Sequence, residues 1–168
     1  HLLINLGGVD KDNITTQILI ALKQCALPAE LKITVVMGGT APWIKEVRQQ
    51  AQDMPWTTEV VVGVNNMAEL MAKSDLEIGA AGSTSWERCC LGLPSITVVL
   101  AENQKIIASK LKEVGAAALF DVKRLSGLSL VSSQQILPHA LKCMSMAARE
   151  ITDGCGVLHI LRRLRNKV

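Results

Sequence analysis

LEIGAAGSTSWERCCLGLPSITVVL, residues 76–100, is the stretch on which the fold turns. LEIGA (76–80) is a short apolar run that leads into a glycine turn and three small hydroxyl residues, Ser83, Thr84 and Ser85. A helix-forming segment follows, Gly-Leu-Pro stops it at 92–94, and a second apolar run, SITVVL (95–100), begins at once. Strand, helix and strand in this order predict parallel strands joined by a right-handed crossover.

The rhythm extends in both directions. LLINL (2–6), LKITVVM (31–37) and TEVVV (58–62) precede the quoted stretch, and AAALF (116–120) follows it. Between them, ITTQILIALKQCA places Ile14, Ile18, Leu19, Leu22 and Cys25 on one helical face, with Asn13 positioned to cap. Pro42 suits the first turn of PWIKEVRQQAQ, Asn66 can cap MAELMAKS, and 104–114 is amphipathic. Two helices are expected after the last strand, at about 134–150 and 157–165, beyond the irregular connection VKRLSGLSLVSS (122–133). No repeat or linker divides the chain, so it reads as one domain: α/β, a doubly wound, Rossmann-like sheet of six parallel strands.

Composition agrees. At 168 residues a domain buries roughly 70% of the surface its unfolded chain exposes. The chain is 49% apolar and only 2% aromatic, which suits buried aliphatic strands covered by helices. The lack of aromatic stacking platforms argues against a single-strand nucleic-acid binder. The net charge of +3 is concentrated in Arg162, Arg163, Arg165 and Lys167, as expected of a solvated helix end. Five cysteines with no C-x-x-C pair read as buried cytosolic thiols rather than a disulfide framework or zinc site. No leader and no membrane-spanning run is evident, so a soluble, cytoplasmic protein is expected, with no membrane partner. The chain opens on His1 and enters a strand directly, as a piece of something longer would.

In open parallel sheets, ligands sit beyond the C-terminal strand ends, near the point where strand order reverses. The loops leaving those ends read GGVDKDN, GGTAP, GVNN, AAGSTS and AENQ. GGVDKDN and AAGSTS both combine glycine with a helix start, the arrangement that offers backbone N–H donors to an anion. Neither G-x-G-x-x-G nor a P-loop is present, which weakens ordinary NAD and ATPase readings. Thr84-Ser85-Trp86-Glu87 has capping-box spacing, with Thr84 capping and Glu87 reaching back. That reading is compatible with a ligand role, because a carboxylate fixed beside a phosphate turn can accept hydrogen bonds from two ribose hydroxyls. Trp86 reads as a core or packing residue before a base-stacking platform. Ser83 lacks a nucleophile elbow, His139 and His159 fall on the last two helices, and no metal-ligand pattern appears. Neither a cofactor nor a catalytic residue is assigned.

The run GVNNMAELMAKSDLEIGAAGSTSWERCCLGLPSITVVLAENQ, with LINLGGVDKDN before it and GAAALF after it, resembles the C-terminal half of GT-B nucleotide-sugar enzymes. It is most similar to the UDP-sugar hydrolases of pseudaminic acid biosynthesis, which serve flagellin and surface glycosylation. More distantly it is similar to the UDP-GlcNAc transferases of peptidoglycan synthesis. The resemblance implies that the chain binds UDP or a UDP-sugar. Val64, Asn65, Asn66 and Met67 match the segment that meets uracil. Glu87 matches the residue that grips the ribose, and Gly82, Ser83 and Thr84 match the diphosphate turn. Gly7, Gly8 and Val9 match the first-strand loop near the phosphates, and Asn103 and Gln104 match the pair facing the sugar. The hydrolases carry a G-x-G-H-x-x-R motif in their N-terminal half that has no counterpart here, so the chain alone is expected to hydrolyse nothing.

The expectation is therefore the UDP-binding domain of a UDP-sugar hydrolase that acts on a UDP-linked diacetamido-trideoxyhexose, its N-terminal catalytic half absent. The alternatives are the donor-binding domain of a GT-B glycosyltransferase and a non-catalytic nucleotide-binding module.

Overall fold

Every strand of the sheet runs the same way, in the order β3-β2-β1-β4-β5-β6. The strands are β1 (Leu2–Asn5), β2 (Lys32–Met37), β3 (Thr57–Val62), β4 (Leu76–Ala80), β5 (Ser95–Val98) and β6 (Ala117–Phe120). The computed structural model describes residues 1–120 and 138–165. The connection 122–133, the first residues of the helix expected at 134–150 and Lys167 lie outside the described residues.

The helices are α1 (Ile14–Leu22), α2 (Ile44–Gln52), α3 (Met67–Ala72), α4 (Thr84–Leu91), α5 (Lys105–Glu113), α6 (Pro138–Arg149) and α7 (Gly156–Arg165). The chain runs outward from β1 to β3, then returns past β1 to β4 and runs outward again. With right-handed crossovers, that reversal puts the helices of the two halves on opposite faces. Ile18, Leu19 and Leu22 of α1 and Val47 of α2 pack with Ile4, Ile33 and Val35 on one face. Met71 of α3 and Leu91 of α4 pack with Leu3 and Val36 on the other. Because both faces are covered, β1 is buried at every position, which is why Leu2, Leu3 and Ile4 are consecutive apolar residues rather than alternating ones.

Local signals set most boundaries. Gly92, in the left-handed region at φ 65°, ends α4, and the Leu93 N–H donates back to the Arg88 carbonyl at 2.9 Å. Pro94 then forbids continuation. Pro42 lies two residues ahead of α2, whose cap position is Trp43, so the helix starts later than the proline suggested. A short 3₁₀ turn at Glu102–Gln104 precedes α5. No helix among the described residues is long and apolar enough to cross a membrane.

Candidate functional site

The strand order reverses between β1 and β4, so the loops that follow these two neighbours flank the crevice where open α/β sheets receive ligands. The loops after β2, β3 and β5 leave the same edge. All of the expected site residues fall on four of these five loops or on the first residues of the helices they lead into.

The loop after β1 is held by its own polar groups. Asn5 Oδ1 accepts the Gly7 N–H at 3.2 Å. Asp10, buried with φ 44°, uses its two carboxylate oxygens to accept the N–H groups of Ile14 and Thr15, each at 2.9 Å. Asn13 occupies the cap position but adopts a left-handed conformation and makes no side-chain cap, so the expected Asn13 cap is overturned. The physical reason is competition: a carboxylate makes stronger bonds to two helix donors than an amide oxygen can to one. The expectation of open donors at this helix is corrected too, because the protein's own anion takes them. Gly7, Gly8 and Val9 nonetheless form an exposed rim.

The turn after β4 is built differently. Its cap residue, Ser83, has helical dihedrals and makes no side-chain cap. The turn is closed by backbone bonds from Ser85 N–H to the Gly82 carbonyl and from Trp86 N–H to the Ser83 carbonyl, each at 3.1 Å. Because Thr84 is the first helical residue, the expected capping box is out of register and Glu87 does not reach back to it. Glu87 is exposed in the first turn of the helix. The buried face of α4 is Ser85, Arg88 and Cys89. Trp86 is therefore turned outward and 46% exposed, which corrects its expected place in the core.

After β3, Val64 and Met67 are anchored against the cluster of Leu3, Val36, Met71 and Leu93, while Asn65 is exposed. The Asn66 carbonyl accepts the N–H groups of Glu69 and Leu70, but its side chain makes no cap. After β5, Gln104 Oε1 accepts the Leu100 N–H at 2.9 Å and so braces its own loop, and Asn103 is exposed.

Sequence reasoning passed over the groups beneath the reversal. Glu77 and Arg88 form a fully buried ion pair at 3.0 Å between β4 and α4. Burial pushes the Glu77 carboxyl above its ordinary value, and Arg88 opposes that push. A signal was available: an acid within an apolar strand covered on both faces needs a buried partner, and Arg88 lies one helix away. His139 and His159 are exposed on α6 and α7, and Cys90 of α4 and Cys143 of α6 are exposed as well, because they fall on the outward sides of their helices, so the expectation of buried thiols is corrected for these two. Among the described residues, no group of three His, Cys, Asp or Glu side chains could hold a metal ion. A cavity of about 640 Å³ lies at the opposite, N-terminal edge of the sheet, lined by residues that include Leu27, Leu31, Leu76, Leu93 and Leu141. Its lining includes none of the strand-end loop residues named above.

Residues 2–153 match the glycosyltransferase family 28 C-terminal domain. The chain belongs to this family. The spore coat polysaccharide biosynthesis protein SpsG of Bacillus subtilis (strain 168) is 25% identical over 99% of this chain and 50% of its own length. A UDP-N-acetylglucosamine–N-acetylmuramyl-(pentapeptide) pyrophosphoryl-undecaprenol N-acetylglucosamine transferase of Lactococcus lactis subsp. cremoris (strain MG1363) is 35% identical over 74% of this chain and 36% of its own. The chain thus spans about half or less of the curated relatives it matches. Among solved structures, Acinetobacter baumannii MurG superposes with a TM-score of 0.85 at 22% identity, covering 99% of this chain and 49% of that one. The spinosyn rhamnosyltransferase SpnG, complexed with thymidine diphosphate, superposes with a TM-score of 0.68 at 18% identity, covering 98% and 44%. These superpositions bear out the doubly wound α/β architecture of a GT-B C-terminal half. The family 28 match overturns the hydrolase expectation, because the family that covers this chain is one of glycosyltransferases. The pseudaminic acid and flagellin reading gains nothing from these matches.

Proposed function

We propose that the chain is the donor-binding domain of a glycosyltransferase and that it holds the nucleoside diphosphate of a UDP-sugar at the reversal between β1 and β4. The observation that carries this reading is the contrast between the two helix starts there. Asp10 occupies the donors of α1, whereas α4 begins without a side-chain cap and carries the exposed Glu87 in its first turn. An uncapped helix start favours an anion, and an acid one turn further along favours hydroxyls.

In this reading Gly82, Ser83 and Thr84 receive the diphosphate, and Gly7, Gly8 and Val9 approach it from the first loop. Glu87 accepts the ribose hydroxyls, and Val64, Asn65 and Met67 meet the uracil, chiefly through backbone groups since Val64 and Met67 pack inward. Asn103 and the remaining polar atoms of Gln104 face the sugar. During transfer an acceptor oxygen bonds to the anomeric carbon, the bond to UDP breaks, and the departing diphosphate is stabilised by N–H donors already in place. A second domain would supply the acceptor wall of the cleft. The UDP-sugar transferase relative and the nucleoside diphosphate complex of a structural neighbour support the choice of ligand.

Calorimetric titration of UDP and UMP into the wild-type chain and Glu87→Ala tests the assignment. Wild type should bind UDP more tightly than UMP. Glu87→Ala should weaken UDP by at least about 10-fold, the equivalent of one charge-assisted hydrogen bond. Its unfolding midpoint should not change, because Glu87 is exposed. Equal affinities for wild type and variant would remove Glu87 from the site.

A further inference from the structure

We propose that Arg88 is a positioning residue for the turn at 81–84, through which the buried carboxylate of Glu77 determines where the backbone of that turn stands. The proposal rests on the reading of this turn as the diphosphate site.

Stability gives a poor account of the pair. Replacing a buried ion pair by apolar groups of similar size is often neutral or stabilising, because removing two charges from water offsets their attraction. The hydrogen bonds of Arg88 suggest another role. Nη1 donates to Glu77 Oε1 at 3.0 Å, while Nη2 donates to the Ala80 carbonyl at 2.9 Å and to Ser85 Oγ at 2.8 Å. Ala80 is the last residue of β4 and Ser85 the second of α4, so one nitrogen holds both ends of the intervening turn. A guanidinium is planar and its donors are fixed relative to one another, so once Glu77 orients one arm the other two contacts follow.

The surrounding sequence makes room for this arrangement. A β-carbon at Gly79 would collide with Arg88 Nη1 and with Glu77 Oε1. Asn5 lies beside Gly79 in the β1–β4 register, on the same face as Glu77, and braces the first loop through Gly7. One buried polar layer therefore supports both loops of the proposed site from below.

The test compares the wild-type chain with Glu77→Leu/Arg88→Met, Arg88→Lys and Ser85→Ala, reading the unfolding midpoint, UDP affinity and hydrogen exchange of the two amides that close the turn, Ser85 and Trp86. The double variant should keep a midpoint at or above wild type, while UDP affinity falls by about 10-fold or more and exchange in the turn rises by a similar factor. Arg88→Lys keeps the charge beside Glu77 but loses the fork, and it should show both losses. Ser85→Ala removes one anchor without touching the ion pair, and it should show a smaller loss of each kind even if the double variant does not fold. Wild-type exchange and affinity in a folded double variant, or in both Arg88→Lys and Ser85→Ala, would overturn the proposal. If exchange rises as expected but the wild-type chain binds no UDP, Arg88 still positions the turn and the nucleotide reading is what falls.

Discussion

Gly38, at the end of β2, lies against the backbone of Gly8, so that a β-carbon on Gly38 would overlap the Gly8 carbonyl group. The loops after β1 and β2 thus meet backbone to backbone, and the obstacle to a side chain is not a flexible group that can swing aside. Gly38→Ala should cost about 1–3 kcal/mol, the range for overpacking a tight contact, and should weaken UDP by displacing the first loop. Urea unfolding and calorimetry on the same preparation measure both effects, and a neutral substitution would show that the loops are not in contact in solution.

Asp10 supplies the N-terminal cap of α1 from outside the cap position. Asp10→Ala leaves two helix donors without their acceptor and should destabilise the chain by about 2 kcal/mol. Asn13→Ala should be far milder, since Asn13 makes no side-chain cap. Denaturation midpoints that ranked the two variants the other way would refute the assignment of the cap.

Arg88→Met leaves Glu77 buried with nothing to oppose the upward push on its carboxyl. A carboxyl whose folded pKa is raised binds its proton more tightly in the folded chain than in the unfolded one. Its stabilising contribution is therefore complete below the ordinary value of 4.5 and is lost as pH rises through the folded pKa. The variant should lose about 3–5 kcal/mol near neutral pH, the cost of orphaning a buried charge, and distinctly less near pH 5. Urea unfolding of variant and wild type across this range tests the slope, and a stability difference independent of pH would contradict it.

Helix α7 has no buried residue, and Val157, Leu158, Ile160, Leu161 and Leu164 are all exposed. A chain ending at Gly154 should accordingly lose less than about 1 kcal/mol, since little apolar area returns to water. A drop in midpoint of many degrees would mean that the helix packs on the domain in solution.

The central strands had their place in the sequence because a strand covered on both faces must be an apolar run, and such runs are set apart by turn residues. β4 begins and ends where LEIGA does, and the Gly-Leu-Pro stop after α4 needed only left-handed freedom at Gly92 and the missing N–H of Pro94. The loops that could carry a ligand were legible for the same reason, since parallel strands send all their C-terminal ends to one edge. Whether the reaction is transfer or hydrolysis was not, because a nucleotide-binding domain of this kind would serve either one. The family match, rather than any residue in this half, corrected that expectation.

Spacing along the chain foretold a cap from Asn13, a box from Thr84 to Glu87 and a packed Trp86, and all three failed. For Asn13 and Trp86 the outcome depended on three-dimensional competition for the same donors or the same buried face, whereas the box failed because the helix already includes Thr84. Asp10 reached the first helix with a stronger acceptor, and Arg88 rather than Trp86 took the inward side of α4 because Glu77 waited beneath it. Local residue preferences were enough to determine which segments become strands and where α4 stops, although α1 ends at Leu22, short of the Cys25 expected on its face. The tertiary structure alone decided the strand order, the contact between Gly8 and Gly38, and the pairing of Glu77 with Arg88. These join residues distant in sequence, and their energies arise only once the sheet has brought them together and excluded water.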